Sequence, residues 1–504
     1  MYRRPTPGQL SFENFYLPFG GKLSGENRWV KLSELIPWQE LETKYADLFS
    51  PGMGAPAKPF RMALGALIIK ERLGTSDAET VEQIRENPYL QYFLGRSQYS
   101  EQAPFDASML VHFRKRLSLE MVQQINEQVV LGAKRAEIKE NKDNADSISG
   151  HDQENDNNGD DPPAPPNQGQ LILDASCAPA DIRYPTDLNL LNQARETTEV
   201  IIDVLYEQVQ QEIEQKPRTY RQKARQEYLN VAKQRKVKGK TMRKAIGKQL
   251  RYLRRNLAHI DALVAAGASL SQLDKQLYRK LLVISELFRQ QQSMYQQRQH
   301  RIDDRIVSLT QPHVRPIVRG KAGTPVEFGA KISLSCVDGM VFLDHLSWDN
   351  FNESQDLPQQ VEQFRTRFGH YPESVHADQI YRTRANREYC RQRGIRLSGK
   401  PLGRPAVEAQ AQLHKQAQAD AKIRNQIEGK LGQGKRRFSL NRIMAKLAST
   451  AQTSIAVTCL VMNLEQLLRQ FLFILFRLVA IKQDCLESKG QRHGGHRDAL
   501  WLVA

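Results

Sequence analysis

Two short apolar runs, far apart in the chain, each end in a carboxylate. Leu171-Ile172-Leu173-Asp174 is the first, and Ser374-Val375-His376-Ala377-Asp378 is the second. Runs this short and apolar read as buried strands with an acid at the exit. A third acid, Glu428, stands in a helical pattern, with Arg424 four residues before it and Lys435 seven after. That spacing puts all three on one helix face. Taken alone, this stretch reads best as a solvated face with an ordinary ion pair. A metal ligand between phosphate contacts is the sharper alternative. Gly429, Gly432 and Gly434 weaken the helix past Glu428, so a loop position is expected for Lys435. The three acids can meet only if one fold is wound through most of the chain.

The intervening pattern supplies such a fold. Thr324 to Val337 and Met340 to Trp348 read as strands joined at Asp338-Gly339, a hairpin signal. A helix near Pro358 to Phe368 precedes the Asp378 strand. A basic helix near Arg384 to Arg393, a short strand at Ile395-Arg396-Leu397 and the loop Gly399 to Pro405 follow it. A long helix, about Val407 to Lys430, carries Glu428. The pattern reads as an α/β part interrupted by a long helical stretch, behind an all-α N-terminal domain. In that N-terminal part, Pro51 to Pro56 is a hinge, and Pro59 to Leu73 is a helix with Met62, Ala66, Leu67 and Ile69 on its apolar face. Ser76 to Glu79 is a capping box, Asn87-Pro88 a stop, and Ser108 a cap for Met109 to Leu117. These short helices fit a helix-turn-helix and a packing bundle equally. Residues 139–168, rich in Asp, Asn, Gly and Pro, read as a disordered linker. The expected division is 1–138 for DNA binding or dimerisation, the 139–168 linker, a catalytic part from 169–187 and 311–463, a basic helical insertion at 188–310, and a C-terminal amphipathic helix and tail at 464–504.

Charge points to the partner. The net charge is +17, with a pI near 9.6. Residues 216–255 hold sixteen Lys or Arg and one acid, Glu227, with Tyr220, Tyr228 and Tyr252 interleaved. A solvated coiled-coil arm is one reading. Such density of one sign repels itself without a polyanion, so a phosphate-backbone surface is favoured, with Lys233, Arg235, Lys236, Lys238, Lys240, Arg243 and Lys244 as DNA contacts. The five cysteines are scattered without metal spacing and fit a reducing cytoplasm. Met1 to Pro5 lacks a signal-peptide apolar region, and the apolar run Phe471 to Phe476 is too short to span a bilayer.

Converging carboxylates would suit two divalent ions about 3.5–4 Å apart. The motifs together resemble a bacterial insertion-sequence transposase of the acid-triad (DDE) class, in the group named after insertion sequence five. Leu10 to Phe15 and the helices from Pro59 to Leu117 look like that family's N-terminal domain. Leu173-Asp174-Ala175-Ser176 and His376-Ala377-Asp378 look like its first two acid motifs. Arg424, Glu428 and Lys435 match its third, followed by the usual Gly432-Gln433-Gly434-Lys435-Arg436-Arg437. One departure is Ala421, where related signatures place a Tyr. The resemblance implies that the α/β part is an RNase H-like catalytic domain with a mixed sheet, in which Asp174, Asp378 and Glu428 are catalytic and bind two Mg²⁺ or Mn²⁺ ions. It implies Arg424, Lys435, Arg436 and Arg437 as DNA contacts. The implied partner is double-stranded DNA, transposon ends and target, bound by a homodimer or larger assembly in the bacterial cytoplasm, at the nucleoid. Rival readings are an RNase H-like nuclease without strand transfer and a non-catalytic repressor. Among other polar residues, His376 reads as a packing histidine on Asp378's strand face, Asp338 as a turn residue, Asp344 as strand surface, Asp181 and Asp187 as caps, and Cys177 as a small buried residue.

Overall fold

The computed structural model describes residues 1–2, 11–18, 20–50, 56–146, 166–318, 326–399 and 410–493. Its centre is a mixed sheet. Strand β1 (Gln170–Pro179) is buried along almost its whole length, as its apolar run requires. Later strands are β2 (Arg315–Val318), β3 (Val326–Val337), β4 (Met340–Ser347), β5 (Ser374–His376) and β6 (Arg396–Leu397). β1 runs antiparallel to β3, with Asp174 opposite Leu334, and parallel to β5, with Ile172 opposite His376. β6 adds parallel to β5. β2 and β4 share the outer edge of β3, one at each end. Asp338 and Gly339 turn the β3–β4 hairpin with φ of 51° and 77°, the left-handed pair that an Asp-Gly turn supplies. The expected mixed α/β class is the one observed.

The N-terminal part is helical: α1 (Arg28–Glu34), α2 (Trp38–Ala46), α3 (Phe60–Leu73), α4 (Asp77–Glu86), α5 (Pro88–Phe93), α6 (Met109–Arg116) and α7 (Leu119–Asp146). α3 sits at its centre with Phe60, Leu64, Ile68 and Ile69 fully buried. Ser76 caps α4 by accepting from the Glu79 N–H at 3.1 Å, as the capping-box pattern requires. These helices share one continuous apolar core with the sheet, beside a small cluster of their own around Phe15, Leu23, Val30 and Tyr92.

The expected linker at 139–168 differs at both ends. α7 continues through its first residues to Asp146, and Gln168 donates to the Tyr371 carbonyl at 3.0 Å beside β1. The remainder, 147–165, lies outside the described residues.

Between β1 and β2 stands the insertion: α8 (Asp187–Gln208), α9 (Arg221–Ala232), α10 (Gly239–Ala265) and α11 (Lys275–Gln297). It is a packed helical unit rather than an extended arm. Its interior holds two apolar clusters, one around Leu191, Leu253 and Leu287 and one around Ile201, Leu205 and Leu263. Asp187 does not cap α8, because Thr186 does. The Asp187 carboxylate accepts from Gln291 and Arg305 instead, pinning α11 and the chain beyond it.

The C-terminal half adds α12 (Leu357–Phe368), α13 (Arg384–Gln392), α14 (Gln410–Arg437) and α15 (Ala448–His493). α15 is one helix across the expected boundary at 463/464, and it packs on α3, α6, α7 and β4. Asp344 is also a correction: its side chain is 2% exposed and paired with Arg367 at 3.0 Å. α12 covers that face of β4, which the alternation of β4 alone does not reveal.

Candidate functional site

Strand pairing carries the first two acids towards the same end of neighbouring strands. Ile172 is level with His376 in the parallel β1–β5 register, and Asp174 and Asp378 each lie two residues further on. Asp174 is half-buried on β1, and its carboxylate accepts from the Ala175 N–H at 2.8 Å. Asp378 is exposed just past β5, where it caps the 3-10 turn Gln379–Tyr381 by accepting from the Gln379 N–H at 3.0 Å. Tyr381 is fully buried in that turn. Burial, with the Glu353, Asp174 and Asp356 charges, pushes its hydroxyl well above the usual range.

Helix α14 brings the third acid. It lies against β1, β3 and β5 through a buried stripe of Asp420, Ile427, Leu431 and Gly434. Glu428 is on the neighbouring face, open to solvent. Arg424 joins the acids: Nη2 donates to Glu428 at 3.1 Å, and Nη1 donates to Asp378 at 3.2 Å. One guanidinium therefore holds carboxylates from two distant segments.

The helix does not stop at Glu428. It runs to Arg437, so Lys435 is helical and not on a loop, and Arg424, Glu428 and Lys435 share a face. Gly434 explains the continuation. A Cβ there would stand 3.0 Å from Leu440 and 3.2 Å from Met462, so the glycine permits close approach to the next segment and α15. Arg436 is exposed. Arg437 pairs with Glu465 of α15 at 3.2 Å, and Glu465 also holds Arg72 of α3.

The charge pattern missed a second cluster beneath the acids. Asp420 is buried and takes Arg396 of β6 in a two-point pair at 3.1 and 2.9 Å. His376 of β5 lies 3.5 Å from the same carboxylate. The Arg396 hydrogen bonds and charge, with His376, hold the Asp420 carboxyl below its usual range against the cost of burial. These contacts fasten α14 to β5 and β6, beside the turn that Asp378 caps. The available signal was a lone acid within the apolar stripe of α14.

In the insertion, Lys233, Arg235, Lys236, Lys238, Lys240 and Lys244 are exposed around the α9–α10 turn. Arg243 is partly committed: it stacks on Tyr295 and donates to the Tyr295 carbonyl at 2.8 Å. Cations at the N-terminus of α10 oppose its dipole, a cost that a bound anion removes.

Oxygen-only donors at Asp174, Asp378 and Glu428 fit a hard divalent cation in chemistry. Their spacing is not a closed ligand set. Among the described residues, no three His, Cys, Asp or Glu side chains form a group that could hold a metal ion. No helix among the described residues is long and apolar enough to cross a membrane.

Residues 375–465 match the family described as "Transposase DDE domain". That span contains Asp378, Arg424, Glu428 and Lys435 and begins after Asp174. Residues 18–116, covering α1 to α6, match the family described as "Transposase domain (DUF772)". The chain is also 33% identical over 96 residues to "Uncharacterized protein ORF8 in nfe locus" of Rhizobium meliloti. That stretch is 19% of this chain and 46% of the relative, so the chain spans under half the relative's length. No solved structure matches.

Proposed function

We propose that this chain, a transposase of the DDE class by the two transposase domains it carries, binds the terminal inverted repeats of its insertion sequence, cuts the strands and joins the 3′-OH ends to target DNA. The observation that carries this reading is the Arg424 bridge. It links Asp378 and Glu428, and the β1–β5 register, which ends two residues before Asp174 and Asp378, supports reading Asp174 as the third member.

The strand order supports an RNase H-like reading of the sheet: an antiparallel β4–β3–β1 set extended by parallel β5 and β6. In this reading the catalytic part is 169–187 with 311–463, and 188–310 is a DNA-binding insertion. Asp174, Asp378 and Glu428 would hold Mg²⁺ or Mn²⁺. Bound there, such ions supply charge neutralisation and an activated water or 3′-hydroxyl for in-line phosphoryl transfer. Other residues bind and orient. Arg424, Lys435 and Arg436 grip phosphates near the acids. Arg437 contributes to the same rim while tied to Glu465. Lys233, Arg235, Lys236, Lys238, Lys240 and Lys244, with Arg243 behind them, hold a second stretch of backbone. Transposition must bring two ends together, so a dimer or larger assembly on cytoplasmic, nucleoid DNA completes the reading.

The test is incubation of purified protein with labelled DNA bearing the ends that flank its own gene, with and without Mg²⁺. Metal-dependent cuts at those ends, absent with Glu428→Gln, are expected, along with joined products. Cleavage without joining would indicate a nuclease. End binding with no cutting would indicate a repressor.

A further inference from the structure

Arg424 is a helix residue between two acids, and that placement is costly to explain by helix chemistry alone. An Arg four residues before a Glu is the less favourable order for an i,i+4 pair. The pair is also open to water, with Arg424 39% exposed, Glu428 50% and Asp378 60%. Pairs this exposed are weak and readily exchanged. What holds Arg424 in place is its second partner, Asp378, from a segment that β5 delivers independently. The two carboxylates thus share one guanidinium's single positive charge, where a divalent cation would bring two. A guanidinium is also the side chain whose planar fork best matches phosphate.

We propose that Arg424 is an internal counter-cation, seated on Asp378 and Glu428 until a DNA phosphate takes it, so that DNA binding and divalent-ion binding reinforce each other. The inference rests on the reading of the acids as a metal site. Without DNA, Arg424 competes with the ion for the same two carboxylates. When phosphate engages Arg424, the carboxylates are released with their negative charge uncompensated. By linkage the effect is reciprocal: the ion, by displacing Arg424, frees it for phosphate. Two cations further along α14 have other partners. Lys430 bonds Gln466 at 3.2 Å, and Arg437 bonds Glu465.

The experiment measures Mn²⁺ binding to the full chain by electron paramagnetic resonance, with and without a saturating short duplex. Wild type is compared with Arg424→Gln, Arg424→Lys, Asp378→Asn and Glu428→Gln. Without DNA, Arg424→Gln is expected to bind Mn²⁺ about threefold to tenfold more tightly than wild type, the range that one or two exposed ion pairs convert to. Arg424→Lys, which keeps the charge, should stay near wild type. Duplex should tighten Mn²⁺ binding to wild type by a similar factor and leave Arg424→Gln almost unchanged. Equal or weaker binding by Arg424→Gln, or an equal DNA effect in both proteins, would overturn the proposal while leaving the acid site standing. If Asp378→Asn and Glu428→Gln bind Mn²⁺ like wild type, the acids are not the site, and both readings fall.

Discussion

His376 ends β5, Asp378 lies two residues past it, and the two do opposite work. Asp378 faces solvent, whereas His376 is fully buried, with Nε2 3.0 Å from the Ser374 hydroxyl. Burial lowers the His376 pKa below its ordinary value, against the pull of Asp420. Folding therefore favours the neutral ring. Its stabilisation is complete above the unfolded pKa, about 6.5, and fades as pH falls towards the folded value. Melting temperature should drop on acidification below about pH 6.5, and His376→Gln should flatten part of that drop. His313, lowered by burial and by Arg315, accounts for another part. Thermal unfolding across a pH series checks this; parallel wild-type and variant profiles would refute it. The packing role expected of His376 holds, but strand period put it on Asp378's face, and β5 ends before Asp378. Asp344 was not, because its burial comes from Arg367 on a helix that the β4 pattern cannot see. Asp420 was missed for the same reason: its partners come from β5 and β6.

Helix α14 shows where local propensity loses to packing. Its spacing correctly put Arg424 and Glu428 on one face. Its three late glycines argued for an early end, yet the helix continues to Arg437. Propensity is a weak prior of about 1 kcal/mol per glycine, and the burial of Leu431 and Gly434 against the segment after the helix outweighs it. The glycines should then separate by position. Nothing lies within 4 Å of a Cβ at Gly429, so Gly429→Ala should stabilise the protein by about 0.5–1 kcal/mol. Gly434→Val must displace Leu440 and Met462, and should cost about 1–3 kcal/mol. Urea unfolding of the two variants decides the point. A gain at both positions would mean that close approach is not why Gly434 is there. The hairpin is the contrasting case: Asp338-Gly339 fixed its own turn, so sequence alone was sufficient.

At the scale of the whole molecule, the sequence suggests five regions, one of them split around the insertion, while the packing makes two kinds of unit. The N-terminal helices, the sheet and α15 share one core. The junction is fastened by buried polar contacts: Glu71 accepts from Ser439 and from Thr458 at 2.9 Å, and Glu465 holds both Arg72 and Arg437. The insertion instead closes its own two clusters. Linear composition set off 188–310 by its abrupt helical and basic character. It could not show that α3 and α15, at opposite ends of the chain, are neighbours. Glu465 tests this division. Its side chain is 5% exposed and that of Arg72 is 6%, so Glu465→Ala strands a buried cation and should cost about 3–5 kcal/mol. Because the core is shared, hydrogen-exchange protection should fall together in α3, α15 and β3. Amides of α8, α10 and α11 should keep theirs, since their apolar contacts are separate. Loss confined to α3 would show that the N-terminal helices open independently of the sheet. Equal loss in the insertion would show that its clusters do not form a separate cooperative unit.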